Sequence, residues 1–298
     1  MPTLTLELEQ PIDLRRSLKI HIRGPGDPTW CNAGGRLVRA TRTAEGLATL
    51  ALETDGRRVR AETWGPGADA ALAGVPDLIG LHDDPRALRP LHPIVAELAR
   101  RLPGLRIGRT SNVVEALVPA ILEQKVTGTE AFRAFRGLVR TYGEPAPGPF
   151  PLWVAPPAAT IAALPYHAFH PLGVERRRAD TIRRAMARAD RLQEVVALPL
   201  DAAYRRLTAI AGIGPWTAAE VALRALGDID AVSVGDFHLP SLVSWALAGE
   251  PRGDDARMLE LLEPYRGQRG RVVRLLEASA AYPPRRGPRM APRSIAGI

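Results

Sequence analysis

The chain has 298 residues, 46% of them hydrophobic, and a formal net charge of +8. That length exceeds what one compact core usually takes, so two domains are expected, and the composition is that of a globular protein rather than a disordered or fibrous one. Apolar runs fall short of the ~20 residues of a membrane span, the single cysteine, Cys31, excludes an internal disulfide, an iron–sulfur cluster or a multi-cysteine zinc site, and the positive charge favours a polyanionic partner, nucleic acid before an anionic membrane surface.

The first ten residues carry Glu7 and Glu9 and no basic stretch ahead of an apolar one. No signal peptide is expected, and a reducing cytoplasm is the expected setting. Residues 4–8 and 18–22 alternate apolar and polar side chains, which predicts half-buried strands. Residues 37–41 and 47–52 flank a turn at Ala44-Glu45-Gly46, a hairpin signal, and residues 59–64 predict one more strand. Residues 1–88 thus read as a small α+β domain on an antiparallel sheet.

From Pro90 the texture is helical. Residues 94–102 form an amphipathic stretch closed by Pro103-Gly104. Asn112 with Glu115 three residues on resembles a capping box opening a helix through Gln124. Further helices are predicted at 129–142, 175–192, 201–209, 216–226, 237–248, 254–262 and 269–281, with a proline-rich loop at 144–157. Pro240 falls in a first turn, where proline is tolerated. Residues 89–282 therefore read as one helical region, and the arginine- and proline-rich residues 283–298 as a basic flexible tail. His167 and His170 have metal-ligand spacing, but no cysteine or acidic cluster accompanies them.

The segment Leu207-Thr208-Ala209-Ile210-Ala211-Gly212-Ile213-Gly214-Pro215-Trp216-Thr217-Ala218 joins two helices through a Gly-x-Gly turn. Glycines let the backbone turn sharply and approach another surface closely. The N–H groups opening the second helix have no partner within it and can hold an anion, a DNA phosphate in a basic protein. An ordinary helix–helix turn is the plainer reading of Gly-x-Gly alone. Downstream runs Leu226-Gly227-Asp228-Ile229-Asp230-Ala231-Val232-Ser233-Val234-Gly235-Asp236-Phe237-His238-Leu239. Asp236 sits where a loop gives way to a helix, so it reads as an N-cap, and a helix start also favours an ionised carboxylate.

Residues 207–239 together resemble the helix-hairpin-helix, Gly/Pro-rich loop and aspartate signature of base-excision DNA glycosylases, on the branch of bacterial 3-methyladenine DNA glycosylase II. The resemblance extends more weakly from Pro76 to Tyr282, through Asp77-Leu78-Ile79-Gly80-Leu81 and Ile121-Leu122-Glu123-Gln124. It implies an N-terminal TATA-binding-protein-like sheet domain followed by an all-α glycosylase region. It implies a cytoplasmic, nucleoid-associated monomer acting on double-stranded DNA with damaged bases, no membrane partner, no required cofactor and no iron–sulfur cluster. Asp236 matches the family's catalytic aspartate, while Asp228 and Asp230 read as loop-shaping. Gly212, Ile213, Gly214, Thr217, Gln124 and Lys125 match DNA-binding positions. The carbonyls of Thr208, Ile210 and Ile213 match those that bind a monovalent cation.

The chain departs from that pattern in several places. Its lysines are Lys19 and Lys125, and Pro215 and Trp216 occupy the place of the lysine that gives related enzymes their lyase activity. Base removal without strand cleavage is therefore expected. Lys125 falls at the position that wedges into the DNA gap. A wedge, a phosphate contact and a lyase nucleophile all stay open for it. In the base pocket, Trp216 matches a family aromatic and Phe237 stands in place of a tyrosine, whereas Glu220 replaces an aromatic and Gln268 a tryptophan. Glu220 reads either as a pocket group for a cationic or hydrogen-bonding base or as a solvated helix face. A noncatalytic damage-binding protein and a lyase-proficient glycosylase for other lesions, using Lys125, are the alternative functions.

Overall fold

The structure is a computed structural model that describes residues 1–279. The expected tail at 283–298 and the end of the last expected helix lie outside the described residues. Five strands, β1 (Thr3–Glu7), β2 (Trp30–Ala33), β3 (Arg36–Thr43), β4 (Gly46–Thr54) and β5 (Arg58–Trp64), form one antiparallel sheet in the order β1-β5-β4-β3-β2. The β3–β4 register closes at Thr43 opposite Gly46, leaving Ala44 and Glu45 as the turn.

Both faces of the sheet are covered, which is why the middle of β3 is buried continuously rather than alternately. Leu37, Leu50 and Leu52 point to one core, with Leu14, Leu18, Val75 and Ile79. Val38, Ala40 and Ala51 point to the other, with Leu152 and Val154. Residues 18–22 are not a strand. They finish a short helix, α1 (Leu14–Leu18), and a 3₁₀ turn over Lys19–His21. Asp13 caps α1 by accepting the Arg16 N–H at 2.9 Å, and Leu14, Ser17 and Leu18 are buried at helical spacing.

Helices α2 (Ala68–Ala73) and α3 (Val75–Leu78) lead from the sheet to α4 (Pro93–Arg101), α5 (Val113–Leu122) and α6 (Gly128–Tyr142). The proline-rich segment that follows holds a two-residue ladder, β6 (Glu144–Pro145) with β7 (Trp153–Val154). Beyond it come α7 (Ala158–Ala163), α8 (Tyr166–Phe169), α9 (Arg176–Met186), α10 (Ala189–Gln193), α11 (Leu200–Thr208), α12 (Pro215–Val221), α13 (Leu239–Ala248), α14 (Asp255–Leu262) and α15 (Arg269–Ser279). Asn112 caps α5 as expected, accepting the Glu115 N–H at 3.2 Å. The Glu115 carboxylate does not close a capping box. It reaches the sheet instead, pairing with Arg39 and accepting from Thr41.

The helices build two apolar cores. One gathers α5, α6, α9, α11 and α12 around Leu117, Ile121, Leu138, Ile182, Leu207 and Val221. The other joins Leu88 and α4 to α13, α14 and α15 through Val95, Leu98, Val243, Met258, Leu262 and Leu276. The chain crosses from the first core to the second between α12 and α13, and this crossing holds Asp236.

Candidate active site

Helices α11 and α12 are joined by residues 209–214. Gly212 has φ +98°, and a Cβ there would lie 2.3 Å from Thr181 Oγ1 on α9. The turn needs glycine for its left-handed backbone and for its close approach to α9. Gly214 is different: a Cβ there would meet nothing within 4 Å. Its side of the turn is open, next to the first-turn N–H groups of α12, which lack intrahelical partners. Pro215 at the first helical position forfeits no helix hydrogen bond.

The turn after α5 is tied to this hairpin. Gln124 Nε2 donates to the Gly212 carbonyl at 3.0 Å and to Thr217 Oγ1 at 2.8 Å. Lys125 is next in sequence, exposed and with φ +55°, an uncommon conformation for a residue with a Cβ. Two arginines of α9 brace the ledge from behind. Arg184 donates to the Ala211 carbonyl at 3.1 Å, and the buried Arg178 donates to the Leu122 carbonyl at 2.7 Å. Both of these arginines thus have an internal task. Two of the expected DNA-binding residues take part in this brace. Thr217 is buried, with its hydroxyl accepting from Gln124, and the Gln124 amide is engaged in holding the hairpin.

Asp236 lies on the segment between α12 and α13, half-buried. Its Oδ1 accepts the backbone N–H groups of His238 at 2.8 Å and Leu239 at 2.9 Å; Asp236 is not the N-cap of α13, which is His238, but its carboxylate holds the turn that leads into the helix. Its Oδ2 accepts the indole N–H of Trp216 at 3.0 Å. A carboxylate offers about four lone-pair sites. Three donors fill three of them, and the remaining one is on Oδ2. The segment around Asp236 is pinned along its length. Asp228 accepts from the Tyr204 hydroxyl at 2.8 Å. Asp230 takes the Gly267 N–H and the N–H and side chain of Arg269. Gly235 donates to Asp255 at 3.0 Å. Asp228 and Asp230 thus shape the loop, as expected.

Glu220 is neither a solvated face nor a free pocket group. Its Oε2 pairs with Arg224 and its Oε1 accepts from Ser233 Oγ. Burial pushes its pKa up, but the Arg224 charge and the hydrogen bonds from Ser233 and Arg224 outweigh burial and leave it below the ordinary carboxylate value. Gln268 is likewise engaged, its Oε1 accepting from Arg271 Nε at 2.7 Å. Phe237, 86% exposed, stacks edge-on against His238 and walls no closed pocket. Trp216 is the expected pocket residue that directly touches Asp236. His167 and His170 belong to no metal-binding group, since none of three or more His, Cys, Asp or Glu exists among the described residues.

No family model matches the chain. Over 175 residues it is 33% identical to the probable bifunctional transcriptional activator/DNA repair enzyme AlkA of Mycobacterium tuberculosis, covering 54% of this chain and 34% of that one. The chain thus spans about a third of the length of the curated relatives it matches. Its fold matches the 3-methyladenine DNA glycosylase of Archaeoglobus fulgidus with a TM-score of 0.78 at 19% identity, over 93% of this chain and 99% of that one. The fold is that of a DNA glycosylase. The same glycosylase fold recurs in the 8-oxoguanine glycosylase/lyase of Clostridium acetobutylicum, solved with double-stranded DNA containing cytosine opposite 8-oxoguanine (TM-score 0.67, 14% identity, 93% and 97% of the two chains). Sequence and fold together support the resemblance to the helix-hairpin-helix glycosylase superfamily near AlkA.

Proposed function

We propose that the protein is a monofunctional DNA glycosylase that flips a damaged base, an alkylated purine by preference, out of duplex DNA and hydrolyses its N-glycosidic bond with Asp236. The observation that carries this reading is the placement of Asp236. Its half-buried carboxylate is held by three N–H donors, the indole of Trp216 among them, next to a hairpin whose Gly214 side is open.

The glycosidic bond of a stacked nucleotide is out of reach, so the base must leave the helix at a cost of a few kcal/mol. Bond breaking then develops positive charge on the sugar. The fixed carboxylate stabilises that charge, and its remaining Oδ2 lone pair is available to orient or deprotonate water. An N-alkylated purine is already cationic and leaves without a strong general acid, so one carboxylate suffices. The first-turn N–H groups of α12 dock a phosphate, and Lys125 on the adjoining ledge fills the gap left by the flipped nucleotide or contacts the backbone. The carbonyls of Thr208, Ile210 and Ile213 would hold a monovalent cation, which would add positive charge for phosphate binding; Ile210 accepts the Ile213 N–H at 2.9 Å and keeps one lone pair for such an ion.

The sheet region, residues 1–88, is read as a TATA-binding-protein-like platform for the helical region 89–282, and the protein as a cytoplasmic monomer. No helix among the described residues is long and apolar enough to cross a membrane. A panel of duplexes, each carrying one alkylated, deaminated or oxidised base, tests the reading: release of alkylated purines, with strand breaks only after alkali, is the expected result. Binding without excision of any lesion would refute it, and nicking without alkali would refute the monofunctional assignment.

A further inference from the structure

Trp216, Glu220 and Arg224 succeed one another at four-residue spacing, one helical turn apart, along α12 and its continuation over Ala222–Leu226. The segment leading to Asp236 runs alongside this row and is fastened to it twice. Trp216 holds Asp236, and one turn further on Glu220 holds Ser233, three residues ahead of Asp236. Glu220 is itself held by Arg224, whose Nε donates to the Ile20 carbonyl of the sheet region at 2.9 Å. The Glu220 and Arg224 side chains are 13% and 12% exposed, and Ser233 is 9% exposed, so the clasp is shielded from water.

We propose that Glu220 is a positioning residue of the catalytic centre, gripping Ser233 so that Asp236 meets the reacting sugar in one fixed place. This rests on the reading of Asp236 as the catalytic carboxylate. A buried carboxylate can accept from both Arg224 and Ser233 with directional hydrogen bonds, which an aromatic ring at this place cannot do. The negative charge of Glu220 is neutralised by Arg224 and so is not offered to a cationic base.

Glu220→Ala would strand the buried Arg224 and risks unfolding the chain. Ser233→Ala is the cleaner probe, with Ser233→Thr as its conservative partner. Single-turnover excision of an N-methylated purine from a duplex oligonucleotide is measured for the full-length wild type, both Ser233 variants and Asp236→Asn. Affinity for an abasic duplex and hydrogen exchange of the Asp236 amide, which donates to the Ser233 carbonyl at 3.2 Å, are measured in parallel. Ser233→Ala is expected to cut the excision rate about tenfold with unchanged affinity, because small misplacements of a reacting group are costly. It should also speed amide exchange at Asp236, and Ser233→Thr should restore both. Wild-type excision by Ser233→Ala alongside an inactive Asp236→Asn would overturn the role of Glu220 alone. Slowed excision with unchanged amide exchange would overturn it too, since the loop would not have loosened. An active Asp236→Asn would instead overturn the reading of Asp236 and, with it, this proposal.

Discussion

Trp216 and Asp236 stand 20 positions apart and meet through one hydrogen bond, indole N–H to carboxylate Oδ2, at 3.0 Å. Trp216 packs against the first helical core. The neighbours of Asp236, Val232 and Val234, pack against the second. This bond therefore fixes the carboxylate at the seam between the two cores.

Trp216→Phe keeps the ring and removes the donor. A hydrogen bond to a charged group contributes ~1.5–3 kcal/mol, so loss of this one is expected to slow single-turnover excision about tenfold or more. The comparison is made at saturating enzyme. An unchanged rate would show that the indole serves only as a wall.

The two glycines of the hairpin should separate stability from DNA binding. Gly212→Ala places a methyl against Thr181 in a left-handed backbone, and its unfolding free energy is expected to fall by about 1–3 kcal/mol. Gly214 has extended backbone, φ −95° and ψ −176°, and open space around it. Gly214→Ala should leave denaturant unfolding within about 0.5 kcal/mol of wild type yet weaken binding to an undamaged duplex. Equal effects of the two substitutions on both measurements would contradict this division.

Lys125 is exposed on a strained turn that Gln124 ties to the hairpin. Lys125→Ala is expected to impair base flipping, read by a fluorescent base analogue, more than DNA docking. Borohydride on abasic duplex should trap no adduct that depends on Lys125. A covalent adduct in good yield that disappears in Lys125→Ala would assign it lyase chemistry.

His21 is buried against Trp30, their rings stacked at 6.3 Å and 13°. Burial, reinforced by the charges of Arg39, Arg224 and Arg23, holds its pKa well below the ordinary value, so it is neutral in the folded chain. The unfolded chain takes up that proton near pH ~6.5. Below that pH the unfolded state binds more protons, and stability falls as pH falls. The expected slope is at most ~1.4 kcal/mol per pH unit. It should flatten in His21→Phe, measured by denaturant unfolding between about pH 5.5 and 7.5. Parallel slopes in the two proteins would contradict it.

The sequence made legible what local signals specify. The β3–β4 hairpin, the Asn112 cap, the Gly-x-Gly turn and the position of Asp236 at a helix start are set by residues within a few positions of each other. What it misjudged depends on distant partners. Residues 18–22 alternate like a strand, but Asp13 starts a helix ahead of them. Glu115 has the spacing of a capping box, but Arg39, 76 positions away, takes its charge. The strand β2 is short and defined by its pairing with β3. For Glu220 a usable signal was present: Arg224 lies four residues on, the spacing of a helical ion pair.

Removal of the Asp236 carboxylate tests the central claim most directly. Single-turnover excision of an N-methylated purine from duplex DNA by Asp236→Asn is compared with wild type at equal DNA occupancy. Asparagine keeps one oxygen for the His238 and Leu239 N–H groups and loses the acceptor for the Trp216 indole, so a modest fall in thermal stability is expected and the rates are compared on folded protein. The excision rate should fall at least ~100-fold, the scale on which a fixed charge acts on a developing cation. An Asp236→Asn protein that excises the base at the wild-type rate would contradict the account.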